Sequence, residues 1–225
     1  MADEQSAEKF DQYAEQYDAL HHASITASGE SPVYFADYKV DCLRRLGVTA
    51  GTPVLDYGCG IGNLTERLVV GLRDVHGYDP SQKSLEVARS RAPSATFYQR
   101  DDEIPNAHFG CAVLSGVLHH VRPEQRRELL QTVRAKLAPG AFVVIFEHNP
   151  FNPLTRHAVA TCPFDDDAVL LWPRELKRLL RECAFSRVRL DYIVFFPHAL
   201  SLLRPLEPRL RWLFAGAQTM TVGFG

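Results

Sequence analysis

A chain of 225 residues, 46% hydrophobic and with a formal net charge of −2, has room for one well-buried α/β domain and is short for two. The near-neutral balance supplies no general attraction to nucleic acid or to an anionic membrane, and no stretch reaches the length of a membrane span. Five scattered cysteines without a C-x-x-C pair suit a reducing compartment, and the polar, acidic first five residues do not resemble a secretory signal, so a cytoplasmic location is expected.

Phe10, Ala14 and Tyr17 recur at helical spacing, which predicts an amphipathic helix over residues 6–20. A loop rich in Ser, His and Gly follows, and Pro32 opens a second helix over residues 33–46 that stops at Gly47. From Pro53 the period changes. Short apolar runs at 54–57, 74–78, 95–99, 111–115 and 142–147 read as buried strands, with helix patterns at 62–71, 81–91 and 123–137 between them. Only a short connection with Pro105 joins the third and fourth strands, and Leu137-Ala138-Pro139-Gly140 reads as a helix-ending turn before the fifth. A helix over 173–183, a strand over 186–196, a helix-like insertion near 197–215 and a last strand over 218–224 complete the chain. The alternation predicts a doubly wound, Rossmann-like α/β sheet, a single domain with residues 1–49 as an N-terminal helical lid and 50–225 as the sheet core. Arg122, Arg126, Arg127 and Arg134, and likewise Arg174, Lys177, Arg178 and Arg181, fall at helical intervals and read as solvated helix faces.

The most specific signal is Asp56-Tyr57-Gly58-Cys59-Gly60-Ile61-Gly62 directly after Val54-Leu55. Three glycines between a strand and a helix provide unusual backbone angles and let a ligand touch the main chain. Asp79, at the end of the second strand and about 20 residues on, stands where a ribose diol is gripped. A dinucleotide site uses G-x-G-x-x-G around a pyrophosphate, which Asp56 would repel; a ligand carrying an ammonium and a sulfonium suits that acid.

On these residues the chain resembles the class I S-adenosylmethionine-dependent methyltransferases, of the small-molecule type. The resemblance covers residues 50–150 best and extends to the Phe10-Asp11-x-x-Ala14-x-x-Tyr17-Asp18 pattern. It implies a seven-stranded sheet in the order 3-2-1-4-5-7-6 with the last strand antiparallel, and S-adenosylmethionine as cofactor. Asp56, Gly58, Gly60 and Gly62 would surround its methionine portion, Asp79 its ribose, and Asp101 or Asp102 its adenine amino group, with Ser115 at the same crevice and Tyr17 laid over the sulfonium.

Methyl transfer is an in-line displacement that rests largely on positioning, with a proton acceptor needed when the acceptor is a hydroxyl. Candidates for proton handling are His119 and His120 after the fourth strand, His148 after the fifth, and Tyr17; Tyr13 and His22 also lie on the N-terminal segment. The proline-punctuated run from 147 to 153 reads as a substrate-binding loop. No metal-ligand spacing such as H-E-x-x-H occurs, so no metal is expected. The expected function is methylation of an oxygen or nitrogen of a small-molecule acceptor. RNA or protein methylation, a non-catalytic S-adenosylmethionine-binding regulatory module and, last, a nicotinamide oxidoreductase are the alternatives. Ser115-Gly116-Val117-Leu118 stands where nucleobase methyltransferases carry an Asn-Pro-Pro-Tyr or Asp-Pro-Pro-Tyr sequence. Oligomeric state is left open.

Overall fold

Val54–Tyr57 is buried at every position and forms β1, the strand from which the sheet grows outward on both sides. The computed structural model describes residue 11 and residues 25–225. After α1 (Pro32–Arg45) and β1 come α2 (Asn63–Leu68), β2 (Val75–Tyr78), α3 (Gln82–Arg91), β3 (Thr96–Tyr98), β4 (Phe109–Ser115), α4 (Arg126–Lys136) and β5 (Leu137–His148). They are followed by α5 (Pro153–Thr161), α6 (Pro173–Glu182), β6 (Arg187–Ile193), α7 (Glu207–Leu210) and β7 (Gln218–Phe224).

The sheet order is β3-β2-β1-β4-β5-β7-β6, with β1 to β5 parallel and β7 antiparallel to both neighbours, as the resemblance implied. Period-two alternation divides the strand residues between two cores. Leu55, Tyr57, Ala112, Leu114, Val143 and Ile145 pack with Leu130 and Val133 of α4 and Leu176, Leu179 and Leu180 of α6. Val54, Cys111, Val113, Val144 and Phe146 pack on the other face with Val40 and Leu43 of α1 and Leu64 and Leu68 of α2. Chain order reverses at the β1–β4 boundary, and a crevice opens there at the strands' carboxyl ends.

Local chemistry sets the helix starts. The Ser31 hydroxyl accepts from the Tyr34 N–H at 3.4 Å with Pro32 in the first turn, and the Ser81 hydroxyl accepts from Ser84 N–H at 3.1 Å ahead of α3. Asn152 caps α5 by accepting from the N–H groups of Leu154 and Thr155 at 3.0 and 3.1 Å.

Four expectations are corrected. The turn expected at 137–140 lies inside β5: Leu137 already pairs with Phe109, and the register shifts before Cys111 pairs with Phe142, so Pro139 and Gly140 are accommodated in an irregularity of the ladder. The helix expected over 62–71 ends at Leu68. The insertion near 197–215 is a 3-10 helix, His198–Leu206, running into short α7. Arg126, expected on a solvated face, is 1% exposed, because its guanidinium finds enough acceptors inside the protein to replace water. The helix expected over 6–20, with Phe10, Tyr13, Tyr17 and His22 on the segment around it, lies outside the described residues, apart from Asp11. That residue's carboxylate accepts from the Ser81 hydroxyl at 2.5 Å and the Lys83 N–H at 3.2 Å. Among the described residues no helix is long and apolar enough to cross a membrane.

Candidate active site

The N–H groups of Gly58 and Cys59 both donate to the Tyr78 carbonyl, at 2.7 and 2.9 Å, and so fasten the turn after β1 to the end of β2. Gly58, Gly60 and Gly62 have φ of 79°, 52° and 84°, the left-handed region that glycine enters without strain. A Cβ on Gly58 would fall 2.6 Å from Val117 Cγ2, and one on Gly62 would fall 3.0 Å from the Ala88 Cα. A Cβ on Gly60 would meet no protein atom within 4 Å. The outer two glycines therefore serve packing, and the middle one lays bare main chain against a cavity of about 490 Å³.

Two carboxylates stand on the cavity wall beside this turn. Asp79 accepts from the Gly60 N–H at 2.8 Å through one oxygen and from the Ser81 N–H at 2.9 Å through the other, so the second acid holds the shape of the glycine loop. Each of its oxygens retains a further acceptor site. Asp56 is 1% exposed and accepts from the Thr65 hydroxyl at 2.7 Å. Burial raises both acids to about 6. Of the two acids weighed after β3, Asp101 lines the cavity and accepts from the Tyr57 hydroxyl at 2.6 Å. Asp102 is exposed and bound to the Arg100 guanidinium at 2.5 Å, because its side chain leaves the short 3-10 turn on the solvent side.

A cation also lines the cavity. Lys39, from α1, reaches across to donate from Nζ to the Ser115 hydroxyl at 2.7 Å, at the end of β4. Burial lowers it to about 8, while the charges of Asp56 and Glu147 pull the other way. Sequence reading did not single it out, since one lysine in an amphipathic helix looks like a solvated position.

His119 and His120 lie in the turn after β4, and His148 ends β5. His119 is buried, and its Nδ1 lies 2.6 Å from Glu147 Oε2, while Glu147 Oε1 accepts from the Leu118 N–H at 2.8 Å. Burial works against its charge, but Glu147 and Asp165 outweigh it and raise His119 to about 9. Asp165, in the 3-10 turn Pro163–Asp165, places Oδ1 3.6 Å from His119 Nε2 and 3.3 Å from His120 Nε2. Burial, then the His119 charge, lowers His120. The same two causes bring His148 to about 4. The imidazole centroids of His119 are 4.1 Å from His120 and 4.9 Å from His148. Arg126 fixes the 118–121 turn from behind, donating to the carbonyls of Leu118, Val121 and Val169 at 3.1, 3.0 and 2.7 Å and to Glu175 at 3.0 Å.

The run at 147–153 divides its work. His148 and Glu147 line the cavity, but Asn149 donates to the carbonyls of Phe214 and Gly216 at 2.8 and 2.6 Å, and Asn152 donates to that of Ala215 at 2.8 Å. Those amides hold the insertion to the sheet edge. Asp165 is the other residue that sequence reading missed, because Asp165-Asp166-Asp167 has the pattern of a solvated acidic turn.

A crevice at a topological switch point, with one acid near the end of β1, a second directly after β2 and bare glycine backbone between them, defines a Rossmann-like, nucleotide-type fold. Residues 54–140 match the family model described as a methyltransferase domain. An uncharacterized methyltransferase of Staphylococcus carnosus is 31% identical over 144 residues, covering 62% of this chain and 66% of that protein. The trans-aconitate 2-methyltransferase of Paracidovorax citrulli is 33% identical over 141 residues, covering 56% of this chain and 52% of its own length. The chain thus spans about half to two thirds of these relatives. A crystal structure of a SAM-dependent methyltransferase from Archaeoglobus fulgidus shares the fold, with TM-score 0.70 at 16% identity over 91% of this chain and 99% of that one. The chain belongs to the class I S-adenosylmethionine-dependent methyltransferases, and S-adenosylmethionine is its cofactor. The residues present fit it: open space over Gly60, acids at Asp56 and Asp79 for cationic and hydroxyl groups, and Lys39 for a carboxylate.

Proposed function

We propose that this protein methylates an oxygen or nitrogen of a small-molecule acceptor, in a reducing, cytoplasmic compartment. The single observation behind this reading is one continuous cavity of about 490 Å³ lined both by Gly60, Asp79 and Lys39 and by His119, His120 and His148. Its size suits a cofactor with a small second ligand. Five cysteines, all buried free thiols, support the compartment.

S-adenosylmethionine, when bound, brings a methyl group on a positively charged sulfur. Asp79 receives the ribose hydroxyls, Asp101 faces the adenine amino group, Asp56 favours the cationic end and Lys39 pairs with the carboxylate. Tyr17 would face the sulfonium. The acceptor lies against the histidine wall, where Val117, Leu129 and Phe146 keep the path dry. His119, held protonated by Glu147 and Asp165, orients the acceptor and does not take its proton. His120 and His148 are neutral at neutral pH and are the proton acceptors when the nucleophile is a hydroxyl. A small acceptor also agrees with relatives named for trans-aconitate and for magnesium protoporphyrin IX.

The test is calorimetric titration with S-adenosylmethionine, followed by incubation with the methyl-labelled cofactor and separate pools of small hydroxy acids, phenols, amines, RNA and protein. Label in a small molecule is expected. Label only in RNA or protein would replace the acceptor class, and tight binding with no transfer to any pool would make this a binding module.

A further inference from the structure

We infer that His119, His120 and Asp165 form a binding site for a divalent transition-metal ion on the acceptor side of the cavity. The role given to the ion rests on the methyl-transfer reading; its binding rests on geometry alone. One ligand atom from each of the three side chains lies within 4.8 Å of the other two. Asp165 Oδ1 is 3.3 Å from His120 Nε2 and 3.6 Å from His119 Nε2. Tetrahedral bonds of roughly 2.0–2.2 Å hold neighbouring ligand atoms about 3.3–3.6 Å apart, so these two spacings need almost no adjustment to take an ion.

The carboxylate supplies the second observation. Asp165 Oδ1 is buried, and the two imidazole nitrogens beside it, at 3.3 and 3.6 Å, are its nearest described polar partners, neither forming a hydrogen bond of good geometry. In the free protein the His119 imidazolium balances this carboxylate, and a metal cation between the three groups would take the place of the His119 Nε2 proton and satisfy the oxygen directly. The third observation lies behind His119. Its far nitrogen is held by Glu147 at 2.6 Å, and Glu147 is itself held by the Leu118 N–H at 2.8 Å, the carboxylate–imidazole arrangement that orients a metal-binding histidine.

The donor set selects the ion. Two imidazoles and one carboxylate suit zinc, cobalt, nickel or iron, and not the all-oxygen preference of magnesium or calcium. All three residues line the cavity, so at least one coordination position opens toward the acceptor. That position would take a hydroxyl, carboxylate or amine of the acceptor, and proton acceptance would then fall to His148. The cluster of Asp74, His76 and His108 is different. There His76 lies 2.7 Å from Asp74 through Nε2 and 2.9 Å from the Tyr98 hydroxyl through Nδ1, so both ring nitrogens are engaged.

Cobalt(II) is the probe, because its visible absorption reports coordination without turnover. The full chain, stripped with a chelator, should bind one equivalent with intense tetrahedral bands. His120→Ala and Asp165→Asn should each weaken binding at least 100-fold, Glu147→Gln roughly 10- to 100-fold, and His108→Ala should leave it unchanged, with circular dichroism confirming that each variant is folded. No cobalt bands in the wild type, or bands lost with His108→Ala and kept in folded His120→Ala and Asp165→Asn, would overturn the site. Calorimetry with S-adenosylmethionine on the same samples separates the two readings: cobalt binding without cofactor binding keeps the metal site and removes methyl transfer, and the reverse removes the metal site alone.

Discussion

Lys39 Nζ donates to Ser115 Oγ across 2.7 Å, joining the first described long helix to the end of the fourth strand at the wall of the cavity. The lysine is there at a cost, since burial disfavours its charge, and a hydroxyl is weak compensation for an ammonium. Lys39→Met keeps the length of the side chain and removes the charge. A charged hydrogen bond to a ligand carboxylate contributes about 1.5–3 kcal/mol, so the Kd for S-adenosylmethionine should rise roughly 10- to 100-fold. Thermal unfolding of the free protein should change little or move upward, because a desolvated charge has been removed. Calorimetry beside a thermal melt checks both, and an unchanged Kd would remove the lysine from cofactor recognition.

The same lysine sets the upper edge of a pH window. Asp56 and Asp79, raised to about 6, take up protons as the pH falls through that value, and Lys39 loses its proton above about 8. Cofactor affinity should therefore be greatest between about 6 and about 8, and Lys39→Met should abolish only the upper fall. Stability of the free protein should respond in the opposite sense. The folded value of Lys39 lies below the ordinary 10.5, so between about 8 and 10.5 the unfolded chain holds a proton that the folded chain has released. This contribution to stability rises with pH over that interval. Comparing wild type with Lys39→Met in urea titrations at pH 7.5 and 9.5 isolates it, and a wild type that gains nothing relative to the variant would contradict the assignment.

Arg126 offers a test of the histidine wall that leaves the wall's own side chains intact. Its guanidinium holds three backbone carbonyls and Glu175, and Glu175 is 29% exposed, so the variant would strand one partly hydrated carboxylate and three carbonyls. Breaking a fully buried pair costs about 3–5 kcal/mol. Partial hydration of Glu175 places Arg126→Met near the lower end, about 3 kcal/mol by urea denaturation. A loss under 1 kcal/mol would mean that the 118–121 turn does not depend on it.

These residues also mark where the sequence was legible. The central strands β1, β4 and β5 could be read because each holds a buried apolar run, whereas β3 has no buried residue and β6 alternates charged with apolar ones; the glycine turn could be read because no other residue type meets both its angles and its contacts. Asp79 could be read from its distance to that turn. Lys39, Arg126 and Asp165 could not, since each has the local pattern of a solvated residue. Their surroundings come from contacts across 76 residues for Lys39 with Ser115 and 49 for Arg126 with Glu175. The choice between Asp101 and Asp102 likewise depended on a single short turn, whose side-chain directions no spacing rule gives.

The glycine turn itself separates packing from binding most sharply. Alanine at Gly58 or Gly60 meets a left-handed backbone, at φ 79° and 52°, and each substitution carries a strain of about 1–2 kcal/mol. At Gly58 the new Cβ would also lie 2.6 Å from Val117 Cγ2, so Val117 must move and the destabilisation should exceed strain alone. At Gly60 the new methyl enters open space on the cavity wall, next to the N–H that donates to Asp79 at 2.8 Å. Gly60→Ala should therefore lose only the strain in a urea titration, yet bind S-adenosylmethionine at least 10-fold more weakly, because the methyl occupies volume needed by the ligand. Gly58→Ala should show the reverse weighting, with the larger loss in stability and the smaller loss in affinity among molecules that remain folded. Equal affinity losses in the two variants would mean that Gly60 serves the turn and not the ligand.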